Sequence, residues 1–205
     1  MSTPASYFDD MYRGSRDPWH LAERWYERRK YGLTVASLPR ERYRRAFEPA
    51  CSVGELTSML APRCDALLAC DRVDSAVETA SARVRDQPHV RVRKLVLPDE
   101  WPDGSFDLVV LSELLYYFGT EQLYRLLERA VAALEPGGTL VTVHWNHPVP
   151  EHLRTGDELA GVLGRLPGLA LAVDHREEDF ALQVFVRLGA DGAPAPSPAR
   201  AEGLA

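Results

Sequence analysis

The sequence predicts a doubly wound α/β domain with a mostly parallel, seven-stranded sheet. Three observations point there. From Ala46 onward, short apolar segments of strand length alternate with amphipathic segments of helix length. One of them, Phe106–Ser112 (FDLVVLS), is apolar almost throughout, the pattern of a parallel strand covered on both faces. Two strand-like segments then follow each other near the end, Leu169–Val173 and Phe180–Leu188, which gives the sheet an antiparallel edge. A chain of 205 residues is long enough for one such domain to bury about 70% of its unfolded surface.

Taken in order, Met1–Asp17 reads as irregular or as a short helix. Trp19–Leu38 reads as one helix, with Asp17 as N-cap, Pro18 at the first position and Pro39 closing it. Ala22, Trp25, Tyr26, Leu33 and Ala36 share its apolar face, and Arg29 falls on the same stripe. Arg45–Cys51 is a strand, followed by a turn and a helix from Glu55 to about Ala61. Ala66–Asp71 (ALLACD) is a strand ending in an acid. Ser75–Arg85 is a helix, with Ser75 and Glu78 as a capping box. Val90–Lys94 is a short strand. Thr120–Leu134 is an amphipathic helix stopped by Glu135-Pro136-Gly137-Gly138. Thr139–Trp145 is a second buried strand, and Gly156–Arg165 a helix. Residues 189–205 (GADGAPAPSPARAEGLA) carry few large apolar side chains and read as a disordered tail, so the domain is placed at 1–188.

Composition narrows the function. Hydrophobic residues are 45% and charged residues 26%, ordinary for a soluble globular chain. No apolar run approaches the ~20 residues of a membrane span. The N-terminal MSTPASYFDD lacks the basic and apolar regions of a secretory signal. A net charge of −6 argues against a general nucleic-acid binder, although residues 1–45 carry an excess of basic groups. Only Lys30 and Lys94 are lysines among the 24 basic residues, which reads as genome composition. Cys51, Cys64 and Cys70 make an odd count without CxxC pairs, pointing to reduced thiols and a cytoplasmic location. No metal pattern is visible: there is no HExxH, and His144 and His147 stand three apart without a partner cluster.

In such a sheet, ligands bind beyond the C-terminal ends of the strands. The first such loop is Glu48-Pro49-Ala50-Cys51-Ser52-Val53-Gly54. Small residues at 50, 52 and 54 let the backbone approach a ligand closely. A dinucleotide fingerprint needs a small residue at 55, where Glu55 would meet the pyrophosphate. Asp71, at the end of the next strand, is placed to accept both ribose hydroxyls of a nucleoside, or else simply to initiate a helix. Glu113 leaves a buried strand at Ser112 and needs a partner or a role. Tyr116 and Tyr117 behind it are site aromatics or ordinary packing.

Several segments together resemble a known group: SRDPWHLAERWYERRKYGLTVASLP, EPACSVGELT, LLACD, EWPDGSFDLVVLSELLYYF, LEPGGTLVTVHW and TGDEL. They look like S-adenosylmethionine (SAM)-dependent methyltransferases of the nodulation-protein S-like family, over about Tyr7–Leu188. The resemblance implies a class I Rossmann-like sheet with an N-terminal helical lid over about 7–38. It implies SAM as cofactor, leaving as S-adenosylhomocysteine. The acceptor would be a small molecule, most simply an amine such as an amino sugar or a specialised metabolite. The E/D-x-G-x-G-x-G loop of that class corresponds to Glu48, Ala50, Ser52 and Gly54, with only the last a glycine.

By the same resemblance, cofactor contacts come from Trp19 and Tyr26; Arg29, a guanidinium on an apolar stripe, needs an anionic partner, either the SAM carboxylate or Glu23 or Glu27 in a surface salt bridge. The first loop adds Cys51 and Thr57 to the residues already named. Asp71, Arg72 and Val73 take the ribose side. Val96 and Leu97 offer backbone groups to adenine, and Ser112 closes the set. Glu113 would hold the acceptor amine. His144, a titrating group at a strand end, would serve as base or else cap that strand, and Tyr117 would face the sulfonium. Three alternatives stay open at this point: an O-methyltransferase, a nicotinamide-dependent oxidoreductase and a non-catalytic SAM-binding protein.

Overall fold

The computed structural model describes residues 2–205. Its seven strands are β1 (Ala46–Pro49), β2 (Leu67–Asp71), β3 (Val90–Lys94), β4 (Phe106–Ser112), β5 (Leu134–Trp145), β6 (Leu169–Arg176) and β7 (Phe180–Arg187). They form one sheet in the order β3-β2-β1-β4-β5-β7-β6. The first five run parallel, and β7 pairs antiparallel with both β5 and β6. The strand order reverses between β1 and β4, so a crevice opens there beyond their C-terminal ends.

Alternation along each central strand serves two cores. Leu108 and Val110 of β4 join Val141, Val143, Leu182 and Val184 on one face. That face is covered by α2 (Trp25–Ala36) and α3 (Glu55–Leu60). Val109 and Leu111 point the other way, to Leu123, Leu126 and Leu127 of α5 (Thr120–Ala133) and to Leu159 and Leu163 of α6 (Gly156–Leu163). The result is three layers with every residue of β4 buried. A Thr155–Glu158 capping box starts α6.

Four local expectations need correction. The segment after Asp17 is not continuous helix. The Asp17 carboxylate does accept the Leu21 and Ala22 amides, but His20 takes a left-handed φ of 58° and breaks the chain direction. The helix therefore begins only at Trp25, and Trp25 itself is 72% exposed. Helix α4 (Asp74–Arg83) starts without a side-chain cap, so Ser75 and Glu78 form no capping box. Asp71 instead accepts the Val73 amide just ahead of it. The Glu135–Gly138 segment is not a helix cap: α5 ends at Ala133, and these residues form the irregular start of β5.

Ahead of the sheet, α1 (Ala5–Gly14) lies over the crevice. Its approach is pinned by the Thr3 amide on the Tyr117 carbonyl (2.9 Å) and the Thr3 hydroxyl on the Glu151 carbonyl (2.7 Å). Within 189–205, expected to lack structure, α7 (Pro198–Ala201) forms one exposed helical turn. Among the described residues no helix is long and apolar enough to cross a membrane.

Candidate active site

A cavity of about 490 Å³ fills the crevice between the ends of β1, β2 and β4 and the underside of α1 and α2. That volume is in the range of small-molecule sites. One end is built by the first loop. Ala50 and Ser52 both hold left-handed φ values, 56° and 50°. Such values cost an L-residue roughly 1–2 kcal/mol each, which explains why glycine suits these positions. The turn points the Ser52 amide at the Asp71 carboxylate (3.0 Å), and Val73 donates to its other oxygen (3.1 Å). Burial raises the Asp71 carboxyl above its ordinary value, against these amides. An ionised carboxylate has about four acceptor directions, so two remain for a ligand. The Tyr12 hydroxyl closes over Ser52 Oγ at 2.6 Å.

Glu48 stands at the floor of this end, 2% exposed, with Oε2 buried and unpartnered. Burial pushes its carboxyl up to about 8. Leu95, Val96 and Leu97 make an apolar side wall beside Ala50.

The other end holds charge. Lys30 of α2, only 2% exposed, pairs with Glu113 and, at 2.9 Å, with Glu27. Glu113 follows β4 with a left-handed φ of 52°, which turns its side chain back into the crevice. Its Oε2 accepts from the Tyr116 hydroxyl (2.6 Å) and the Trp145 amide (2.9 Å). Burial works to raise the Glu113 carboxyl, but the Lys30 ammonium and the hydrogen bonds from Lys30 and Tyr116 together hold the group below the usual range. Burial likewise works against the Lys30 charge, and Glu113 and Glu27 overcome it. The three groups thus carry two negative charges against one positive. Around them stand Tyr26, whose ring lies 5.0 Å from Lys30 Nζ, and Trp145, edge-on to Tyr26 at 5.4 Å.

Most residues expected from the sequence meet on this cavity wall: Trp19, Tyr26, Glu48, Ala50, Cys51 and Ser52, then Asp71, Arg72, Val96, Leu97, Ser112, Glu113 and Tyr117. Five do not. Arg29 points away from the cavity and makes a two-pronged ion pair with Glu177, at 2.6 and 2.8 Å. The expected stripe is split: Tyr26 and Leu33 pack inward, Lys30 takes the cavity side, and Arg29 is left on the outer side of α2. His144 lies beneath the floor. Its Nε2 accepts the Leu115 amide (3.1 Å), and burial lowers it to about 4. A neutral ring committed as acceptor is a structural cap, not a base. Gly54 is required by packing: with φ 77°, an added Cβ would sit 3.0 Å from Ala80 of α4. Thr57 and Val73 are buried behind the wall, and Val73 reaches the site only through its amide bond to Asp71.

A family model, Nodulation protein S (NodS), matches residues 10–149. The chain belongs to the nodulation protein S family. The family's curated member from Rhizobium tropici is 31% identical over 127 residues, 61% of this chain and 53% of that protein. A second, from Sinorhizobium fredii, is 28% identical over 62% of this chain and 60% of its own length. The chain spans about half to three fifths of the length of these family members. A crystal structure from Pseudomonas syringae, described as a candidate methyltransferase, is 46% identical with a TM-score of 0.71, covering 80% of this chain and all of that one. The family's N-methyltransferase NodS from Bradyrhizobium japonicum WM9, solved with S-adenosylhomocysteine, is 24% identical with a TM-score of 0.79. It covers 88% of this chain and 97% of its own, and shares the fold.

Within this family frame, sequence reasoning missed Lys30, Glu27, Tyr12 and His152 on the cavity wall. Lys30 did carry a signal. One of only two lysines, it sits three residues after Glu27 on the helix face that holds Tyr26. Arg29→Ala, which breaks an exposed pair on the outer face, is expected to leave ligand affinity within about twofold and stability little changed, as calorimetry would register. A tenfold loss of affinity would return Arg29 to the site.

Proposed function

We propose that this chain is a SAM-dependent N-methyltransferase acting on a small-molecule amine. One observation carries the reading: a buried carboxylate, Glu27, and a partly exposed one, Glu113, share a single buried ammonium in an aromatic recess that opens onto a nucleoside-shaped nest. A second cation is the chemical complement of that recess.

The residues present fit the cofactor. Asp71 has two acceptor directions left for ribose hydroxyls. The orphaned Glu48 Oε2 is a natural partner for the ammonium of the methionine part, and the backbone at 95–97 for adenine. When bound, SAM supplies a methyl group on a sulfonium whose positive charge is lost as the methyl leaves. The protein's part is orientation. Asp71 and Ser52 fix the nucleoside, and Tyr117 presents an aromatic face. Glu113, itself fixed by three donors, holds the acceptor nitrogen in line for displacement. The segment 7–38 serves as a lid, since Phe8, Tyr12 and Trp19 roof the nest. A cytoplasmic setting is supported by three free cysteines.

Calorimetry with S-adenosylhomocysteine and a methylation assay over glucosamine, cyclohexylamine and a simple phenol test this reading. We expect binding with a dissociation constant between about 1 μM and 1 mM and transfer to an amine. Transfer to the phenol alone would overturn the amine assignment.

A further inference from the structure

Six histidines occur in the chain, and four of them commit a ring nitrogen to a hydrogen bond. His144 takes the Leu115 amide, His89 the Ala61 carbonyl, His147 pairs with Asp179 and His175 with Glu177, while His20 stands exposed at 3.6 Å from Glu23. Among the described residues His152 alone has no polar partner on its ring, and its Nδ1 is buried and unsatisfied. A buried polar atom without a partner calls for an explanation.

His152 is also the histidine on the cavity wall. The loop that carries it is held firmly. The Leu153 amide donates to the Tyr116 carbonyl (2.8 Å), and the Arg154 guanidinium to the Phe118 carbonyl (2.9 Å). The imidazole stacks flat on Tyr116, with centroids 3.6 Å apart at 16°, and meets Tyr117 edge-on at 5.0 Å. The Tyr116 hydroxyl in turn donates to Glu113. One aromatic ring therefore separates the imidazole from the carboxylate assigned to the acceptor nitrogen.

We propose that His152 is the catalytic base that takes a proton from the acceptor ammonium. The inference rests on the amine reading above. In the step, an N–H proton of R–NH3+ passes to a free ring nitrogen of His152, leaving R–NH2 with its lone pair. That pair forms the N–CH3 bond as the S–CH3 bond breaks, its electrons staying on sulfur as a thioether. The product leaves as R–NH2+–CH3, and the imidazolium returns its proton to solvent.

The surroundings suit this task. Burial lowers the His152 imidazole, against the opposing pull of Glu113 and Glu151, so the ring is neutral near pH 7. The other titratable groups facing it are Tyr116 and Tyr117, with His144 and Lys30 on the far side of Tyr116.

The test compares wild type with His152→Gln and His152→Phe, the second keeping the stack on Tyr116. S-adenosylhomocysteine affinity and Tm control for structure, and kcat is followed against pH with glucosamine and cyclohexylamine. Wild type is expected to lose kcat as pH falls through a midpoint below the usual histidine range. Both variants should bind S-adenosylhomocysteine normally, lose about 100-fold in kcat and lose that acid limb. Variants that keep kcat within threefold, or keep the limb, overturn the role of His152 alone. A wild type that binds S-adenosylhomocysteine but methylates neither amine overturns the amine reading beneath it.

Discussion

Lys30→Met should be among the most damaging single changes in the protein, lowering stability by about 3–5 kcal/mol. The side chain is 2% exposed and lies between Glu27 and Glu113. Taking away the ammonium leaves two carboxylates in the same recess with no counter-charge. For a chain of this length the loss corresponds to roughly 6–20 °C in Tm. The recess relaxes only by taking up protons, so Glu113 would move from below the usual carboxylate range to above it. Adding Glu113→Gln to Lys30→Met should recover part of the loss, because one of the stranded charges disappears. Thermal unfolding of the two single variants and the double variant reads this coupling directly. A Tm for Lys30→Met within 2 °C of wild type would show that the triad is not a buried ionic unit.

Glu48 gives the second large effect, through pH. Its carboxyl is pushed up to about 8 in the folded protein, against an ordinary value of 4.5. Between those values the unfolded chain has released the proton while the folded protein keeps it. Stability therefore falls as pH rises from about 4.5 to about 8 and is flat beyond, with a slope of at most ~1.4 kcal/mol per pH unit. Glu48→Gln removes this slope and is expected to be up to about 3 kcal/mol more stable than wild type at pH 7. Denaturant titrations across pH 5–9 check the sign. Cofactor binding adds an independent measurement. If Glu48 receives the ammonium of the methionine part, binding at pH 7 drives its proton off. The calorimetric enthalpy then depends on the ionisation enthalpy of the buffer, and the Glu48→Gln protein shows no such dependence.

The sheet was largely legible because its signals are local. FDLVVLS has the apolar continuity that only a strand covered on both faces tolerates, and LLACD ends its strand on the acid that the crevice uses. The nest around Ala50, Ser52 and Asp71 followed from chain order alone, since a βα turn must open at the strand's C-terminal end. The charged half of the site was not legible in that way. Arg29 and Lys30 are adjacent cations on one helix, and nothing local says which faces inward. The decision comes from Glu113, 83 residues away, through its contact with Lys30. The same holds for the two histidines. Strand alternation put His144 at the right end of β5 but could not say that Leu115 claims its ring. His152 sits in a loop without periodicity, and only the stack on Tyr116 brings it to the wall.

The pinning of Thr3 to Tyr117 and Glu151 has a practical corollary. Ser2 bonds to Gln122 and receives the Gly119 amide, so Ser2 and Thr3 sit on the rim of the cavity itself. Any affinity handle or fusion partner attached there emerges beside the acceptor's entrance and competes with docking of α1. A handle appended after Ala205 follows an exposed stretch and avoids the rim contacts, which makes the carboxyl end the better choice for purification and for immobilised binding assays.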